Sequence, residues 1–286
     1  MATALADANK NASKQKIKSI AYRPFDTRFT VYTGNSRGLY SSPQRNIMSN
    51  MLFDNIAFVT AKSNKSQTAN QFFSTKFITE TKCGESTTQS YTFPLFLYTD
   101  DEKKISNINE KFYNELKDIY GKDTKPKEIF GYIYSILHSP TYRIKYLDFL
   151  RLEFPRIPFT PDKKLFHQLS DLGIELIDIH LMEQIADYPY GDFIGKGNYI
   201  VEKPELLFEK KSSKLHINKT QYFNNVPQEV FDFCIGGYQV LDKYLKDRKG
   251  RKLSYDEAGH LEKTIKAIGF TIDQMNKIDK LIKNWI

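Results

Sequence analysis

Near residue 100 the hydrophobic period of this chain changes from two residues to three and four, and that change restricts the folds open to it. From Ile17 to about Tyr98 the apolar residues come in short blocks: IKSIAY, FTVY, NIAFVTA, FFSTKFI and YTFPLFLY. They are rich in aromatic and β-branched residues and are separated by polar turns, as short strands are. From about Asp101 the spacing is helical. ISNINEKFYNELKDIYG carries an amphipathic stripe and ends at Gly121. Thr124-Lys125-Pro126 reads as an N-cap with proline at the helix start. That helix runs through IFGYIYSILH to Ser139-Pro140, which caps the next one, TYRIKYLDFLRL. Another follows Thr160-Pro161, with Leu165, Leu169, Leu172, Leu176 and His180 on one face. Residues 191–219 return to strands and turns. VFDFCI then reads as a strand that meets Gly236-Gly237 and the helix YQVLDKYLKDRKG. Ser254-x-x-Glu257 is a capping box opening a long helix, on which Leu261, Ile265, Ile268, Ile272, Met275 and Ile282 form a core stripe. Strands, helices, strands and helices in that order predict an α+β fold. It is strand-rich over 17–100 and mainly helical over 101–286, with a second small strand region and room for two lobes. Residues 1–16 are polar and aperiodic and read as a disordered or linker start.

Composition narrows the class. No run approaches the roughly 18 apolar residues of a membrane helix. The start, MATALADANKNASKQK, has no apolar signal core. Cys83 and Cys234 lie too far apart for a disulfide framework or a Cys-rich zinc module, so a reducing cytoplasm is expected. The 42 Lys and Arg exceed the 34 Asp and Glu, for a net charge of +8, a balance that favours a polyanion partner. The excess concentrates in residues 1–60 and in residues 243–252, where Lys243, Lys246, Arg248, Lys249, Arg251 and Lys252 face Asp247 alone. A solvated helix face explains the second region equally well.

The motifs that would carry catalytic chemistry are weak. Amino-methyltransferases hold an extruded base with a Pro-Pro turn. None of the 11 prolines here adjoins another, and no strand leads into a glycine loop suited to S-adenosylmethionine. GDFIGKG at 191–197 lacks the spacing and the Lys-Ser/Thr ending of a phosphate loop and reads as a surface turn. The five histidines are scattered; His180 with Glu183 falls far short of a metal site and reads as a core histidine. A Mg²⁺-dependent nuclease would need paired carboxylates and a lysine. Asp192, Glu209 and Lys211 fit that pattern loosely and stand as the alternative, against exposed charges on a strand edge. No catalytic or metal-binding residue is otherwise assigned.

Seven segments together carry a resemblance: IAYRPFDTRF at 20–29, PQRNIMSNM at 43–51, FPLFLY at 93–98, YIYSILHSPTYR at 132–143, FPRIP at 154–158, LGIELIDIHLME at 172–183 and IGGYQVLDKYLKDRKGR at 235–251. The chain resembles the C-terminal specificity region of type ISP restriction–modification enzymes and related adenine-specific DNA methyltransferase polypeptides, from about Ile17 to about Ile278. Two departures stand out: Pro43-Gln44-Arg45 where family members often have Arg-Pro-Arg, and Tyr244 where they have Trp.

The resemblance implies a target-recognition domain that binds double-stranded DNA and positions an adenine methyltransferase lobe absent from this chain. It implies no cofactor here, with S-adenosylmethionine confined to the parent lobe. It does not say which side chains touch bases, so chemistry decides. Arg, Lys, Asn and Gln supply directed bonds to base edges. Arg37, Lys62, Asn64, Lys65, Gln67 and Gln89, in loops 33–38, 62–71 and 82–90, are the candidate readers, the alternative being solvated loop side chains. Arg45, Arg143, Lys246, Arg248 and Arg251 are candidate phosphate contacts, the alternative being helix ends or ion pairs. Arg23, Asp26 and Arg28 are expected to form a structural ion-pair cluster.

Overall fold

A computed structural model describes Ala6 and residues 16–35, 40, 42–65, 68–209, 212–283 and 285–286. Among these residues the fold is α+β, with five small sheets set around a helical centre. β1 (Ile17–Arg23) and β2 (Asp26–Val31) form an antiparallel hairpin, and β5 (Ile78–Thr79) joins β1 in parallel. A short helix, α1 (Arg45–Met48), leads to a second sheet. There β3 (Ala57–Ala61) lies between β4 (Phe73–Thr75) and β6 (Ser90–Pro94). β7 (Phe96–Tyr98) pairs with β8 (Lys104–Ser106). The expected strand YTFPLFLY divides at Leu95, whose buried side chain and bond to the Ile56 carbonyl (2.8 Å) turn the chain between β6 and β7.

The helical middle follows the capping signals. α2 (Glu110–Tyr120) is capped by Asn109, α3 (Pro126–His138) begins at its proline, and α4 (Pro140–Lys145) is capped by Ser139. The expected helix TYRIKYLDFLRL breaks at Tyr146, leaving α5 (Leu147–Leu150) as a separate turn. α6 (Lys163–His180) follows Thr160-Pro161 and is capped by Asp162. A four-stranded sheet follows in the order β10-β11-β12-β9, from β9 (Phe193–Ile194), β10 (Glu205–Glu209), β11 (Ser212–His216) and β12 (Tyr222–Asn224). VFDFCI is strand only at its end. Pro227 opens the helical turn α7 (Gln228–Phe231), which buries Val230. β13 (Cys234–Ile235) and β14 (Tyr238–Gln239) then close around Gly236-Gly237. Both glycines have positive φ, 54° and 78°, as a two-residue hairpin turn of this type requires. α8 (Val240–Lys246) and the capping-box helix α9 (Tyr255–Ile282) complete the chain. No helix among the described residues is long and apolar enough to cross a membrane.

α9 runs through two cores. Leu261, Ile265 and Ile268 pack with Ala21, Phe25, Val59 and Phe73 from the strand-rich part. Ile278 and Ile282 pack with Tyr132, Tyr134, Phe166 and Leu169 of α3 and α6. Of the expected stripe, Ile272 and Met275 are only half-buried, and Ile278 takes the buried place. α3 and α6 cross in direct backbone contact at Gly131 and Gly173.

His180 is a core histidine. Thr271 Oγ1 donates to the Ala267 carbonyl (2.7 Å), so His180 Nε2–H donates to Thr271 (2.8 Å) and Nδ1 accepts from the Tyr134 hydroxyl (2.5 Å). Burial first, then the Arg143 charge, lowers the His180 pKa to about 3. Burial likewise holds His138 well below the ordinary range, helped by Arg143 and His180. Because the unfolded chain protonates these rings first, their stabilisation is complete above about pH 6.5 and is lost as pH falls toward 3. His180 contributes up to about 1.4 kcal/mol per pH unit in that window, and His138 acts in the same direction. Urea unfolding should therefore show lower stability at pH 5 than at pH 7, and His180→Gln should flatten the slope. Equal stability at both pH values would contradict the neutral histidine pair.

Candidate nucleic-acid interface

Register decides which loops meet. Ala61 at the end of β3 pairs with Ser90 at the start of β6, and Val59 pairs with Phe73 at the start of β4. Loop 62–72 and loop 80–89 therefore leave the same end of the β4-β3-β6 sheet. Thr88 Oγ1 donates to the Ser63 carbonyl (2.7 Å) and joins them. The turn after α5 closes a third side, where Asn64 N–H donates to the Arg151 carbonyl (3.1 Å) and Gln71 Nε2 to the Leu150 carbonyl (2.9 Å). The β13–β14 hairpin supports the cluster from behind. Ser86 N–H bonds to Gly236 O (2.8 Å), and Asn70 Nδ2 to the Cys234 carbonyl (2.8 Å). Within loop 80–89, the buried Glu85 Oε1 accepts from Thr87 N–H (2.8 Å) and Thr87 Oγ1 (3.0 Å).

This end of the sheet brings together three of the expected readers. Lys62 and Lys65 are exposed beside Gln89, and Lys62 lies 3.4 Å from the exposed Glu153. Asn64 is a correction. It is buried, and its amide donates to Gln71 Oε1 (2.7 Å) and the Thr68 carbonyl (3.1 Å), so it shapes the loop instead of facing a base. Arg37 and Gln67 lie outside the described residues. Arg151, also exposed, was missed because FLRLEF reads as more helix; only the bond from Asn64 N–H to its carbonyl brings it beside loop 62–72.

The expected phosphate contacts divide. Lys246 is exposed and pairs with Asp242 on its own helix (2.7 Å). Arg45 is exposed at the first turn of α1, outside the loop cluster. Its partner in the departure from Arg-Pro-Arg, Gln44, has φ 47°, which proline cannot adopt, so the turn itself differs there. Arg143 is a correction: it is half-buried, donates to the Leu137 carbonyl (2.5 Å) and lies over the Phe72 ring. Arg248 is another. It is buried and donates to Asp26 Oδ1 (2.8 Å) and Oδ2 (3.2 Å) and to Glu257 (3.2 Å). Arg28 also reaches Asp26 (3.1 Å) and Asp247 (3.6 Å), while Arg251 is spent on Glu257 (2.9 Å) and Lys243 on Asp247 (2.6 Å). Four cations and three carboxylates thus lock the β1–β2 hairpin to α8 and α9. Of the expected Arg23-Asp26-Arg28 cluster, Asp26 and Arg28 join this system, while Arg23 pairs separately with Glu80 (2.5 Å). Burial would raise the Glu257 pKa, but bonds from Arg251, Ser254 N–H and Arg248 outweigh it and hold the carboxyl at about 2. Tyr244 is buried, its ring 3.4 Å from the Arg248 guanidinium and its hydroxyl on the Glu257 carbonyl (3.3 Å), so replacing Trp there changes more than packing.

The two carboxylate positions of the nuclease alternative lie apart in the fold. Asp192 precedes β9 and Glu209 ends β10, the two opposite edges of the four-stranded sheet, about 14 Å apart at ordinary strand spacing. Asp192 pairs with Lys266 (3.1 Å), and Lys211 lies outside the described residues. Among the described residues no three His, Cys, Asp or Glu side chains gather to hold a metal.

The family model for the Type ISP C-terminal specificity domain matches residues 2–277. The chain belongs to this family. No curated protein sequence matches it. Three solved structures share the specificity-domain fold. The DrdV–DNA complex is 21% identical with a TM-score of 0.71, covering 96% of this chain and 29% of that one. A nuclease-deletion mutant of the Type ISP restriction-modification enzyme LlaGI, in complex with a DNA substrate mimic, is 17% identical with a TM-score of 0.68 (94% and 25% covered). The ATP-dependent Type ISP restriction-modification enzyme LlaBIII bound to DNA is 20% identical with a TM-score of 0.69 (94% and 18%). This specificity domain spans less than a third of each of those chains.

Proposed function

We propose that this specificity domain reads the sequence of duplex DNA through the loops at the end of the β4-β3-β6 sheet. Lys62, Lys65, Gln89 and Arg151 supply the directed donors that base edges require. The observation that carries the reading is the convergence of three polar segments, distant in sequence, tied together through Thr88, Gln71 and the Asn64 N–H while these side chains stay exposed. That three relatives of the same fold were solved bound to DNA or to a DNA mimic supports it. The ion-paired end of α8 contributes little grip, because its guanidinium groups are already satisfied.

Selection of duplexes from a randomised pool by the whole chain tests the proposal. Lys65→Ala and Arg151→Ala should each relax preference at one base pair by about 1–3 kcal/mol. A pure phosphate contact would instead weaken all sequences alike and reduce the salt slope by about 0.9. A preference profile unchanged in both variants would remove these loops from the readout surface. Methyl transfer belongs, on this reading, to an adenine methyltransferase lobe of the same system. Calorimetric titration of this chain with S-adenosylmethionine should accordingly show no binding, and micromolar binding would overturn the division of labour.

A further inference from the structure

Beside the reading loops stands an apolar prominence that the proposed readout does not use. Ile144, Phe149 and Leu152 are 76%, 73% and 70% exposed, all within α4, α5 and the turn after them. One exposed apolar side chain is ordinary, but Phe149 and Leu152 share one turn, with the Leu152 N–H on the Phe149 carbonyl (3.0 Å), and together form an apolar tip that needs an occupant. The spur is anchored. Thr141 N–H and Oγ1 bond to the Asp279 carboxylate (3.2 and 3.0 Å), Tyr142 Oη to the Arg156 carbonyl (2.9 Å), and the Leu150 and Arg151 carbonyls to the reading loop. A groove lined by Phe149, Phe154 and Arg156 runs along its side.

Charge and continuity name the occupant. Lys145, Arg151 and Arg156 are exposed within a few positions of Phe149 and Leu152, and Arg156 lines the groove with Phe149. Of the two nearby carboxylates, Glu153 is engaged by Lys62 and Asp148 faces solvent. An apolar tip with three exposed cations within a few positions, and one of its two carboxylates paired with Lys62, suits the base stack of a polyanion, since apolar wedges enter base steps and aromatic rings stack on any base. We infer that Phe149 and Leu152 form a wedge that enters a base step next to the base pairs read by the adjoining loops and unstacks it. The inference rests on the proposed DNA reading.

The test uses duplexes selected by the intact chain, carrying 2-aminopurine at successive positions. Binding should raise fluorescence severalfold at one step. The double variant Phe149→Ala/Leu152→Ala should bind about tenfold or more weakly, lose the fluorescence rise and keep the salt slope. Phe149→Tyr should retain the rise, and Lys65→Ala should retain it while changing preference. Both wedge residues are exposed, so circular dichroism should be unchanged. A wild-type chain that binds its selected duplex with no rise at any position overturns the wedge and leaves the reading standing. So does a double variant that matches wild type on DNA, including one that has lost association with a methyltransferase lobe, which would assign the patch to a protein contact. Failure of the intact chain to select any duplex overturns both.

Discussion

Replacing Arg248 with methionine is expected to destabilise the protein by about 3–5 kcal/mol, the cost of breaking a buried ion pair from one side. Methionine keeps most of the packing against Tyr244. It removes the two bonds to Asp26, which is 3% exposed and would keep only Arg28. The neighbouring cations define the contrast. Arg251 is 49% exposed, so Arg251→Met should cost about 1 kcal/mol or less. Lys246→Met should lose only its pair within α8, about 0.3–0.5 kcal/mol. Adding Asp26→Asn to Arg248→Met should recover part of the loss, because the stranded charge is then gone. Urea denaturation of the four variants measures this directly. Small and equal effects for Arg248→Met and Arg251→Met would show that the buried pair does not hold the hairpin to the helices. Loss of DNA affinity on mutating Arg248 would, on this account, follow the loss of folded protein.

The second large effect has the opposite sign from the one that helix propensity suggests. An exposed glycine in a helix interior gains about 1 kcal/mol on replacement by alanine. Gly173 in α6 is not such a site. A Cβ there would lie 1.8 Å from the Gly131 carbonyl oxygen of α3, which is backbone and has nowhere to turn. Gly173→Ala must push the two helices apart and loosen the core around Tyr132, Phe166 and Leu169. About 3 kcal/mol or more of destabilisation is expected. Gly259 in α9 is the control, with no atom within 4 Å of its added Cβ; Gly259→Ala should stabilise slightly. Thermal unfolding of both variants separates the cases, and a Gly173→Ala protein as stable as Gly259→Ala would refute the close crossing.

Much of the architecture was legible because its signals are local. The Ser254–Glu257 capping box opens α9, Ser139 caps α4, and the aromatic blocks before residue 100 became β1 to β7. The misreadings fall where a tertiary contact overrules the local pattern. Leu95 turns the chain because Ile56 takes its N–H, and Pro227 starts a helical turn in a segment that alternates like a strand. The candidate site was legible only in part. Lys62, Lys65 and Gln89 were identified by residue type and loop composition, but the same argument selected Asn64, which is buried.

What the sequence by itself determined is the kind of most elements and the family to which the chain belongs, since caps, stripes and alternation act over three or four residues. What only the tertiary structure decided is which polar side chains face outward. Arg248 and Arg251 stand three positions apart in one basic run, yet one is sealed against Asp26, 222 residues away, and the other is half in solvent. Arg151 joins loop 62–72 through a backbone bond to Asn64 that no local pattern announces. Burial depends on contacts between distant segments, and a run of cations has the same composition whether it grips a partner or closes the fold.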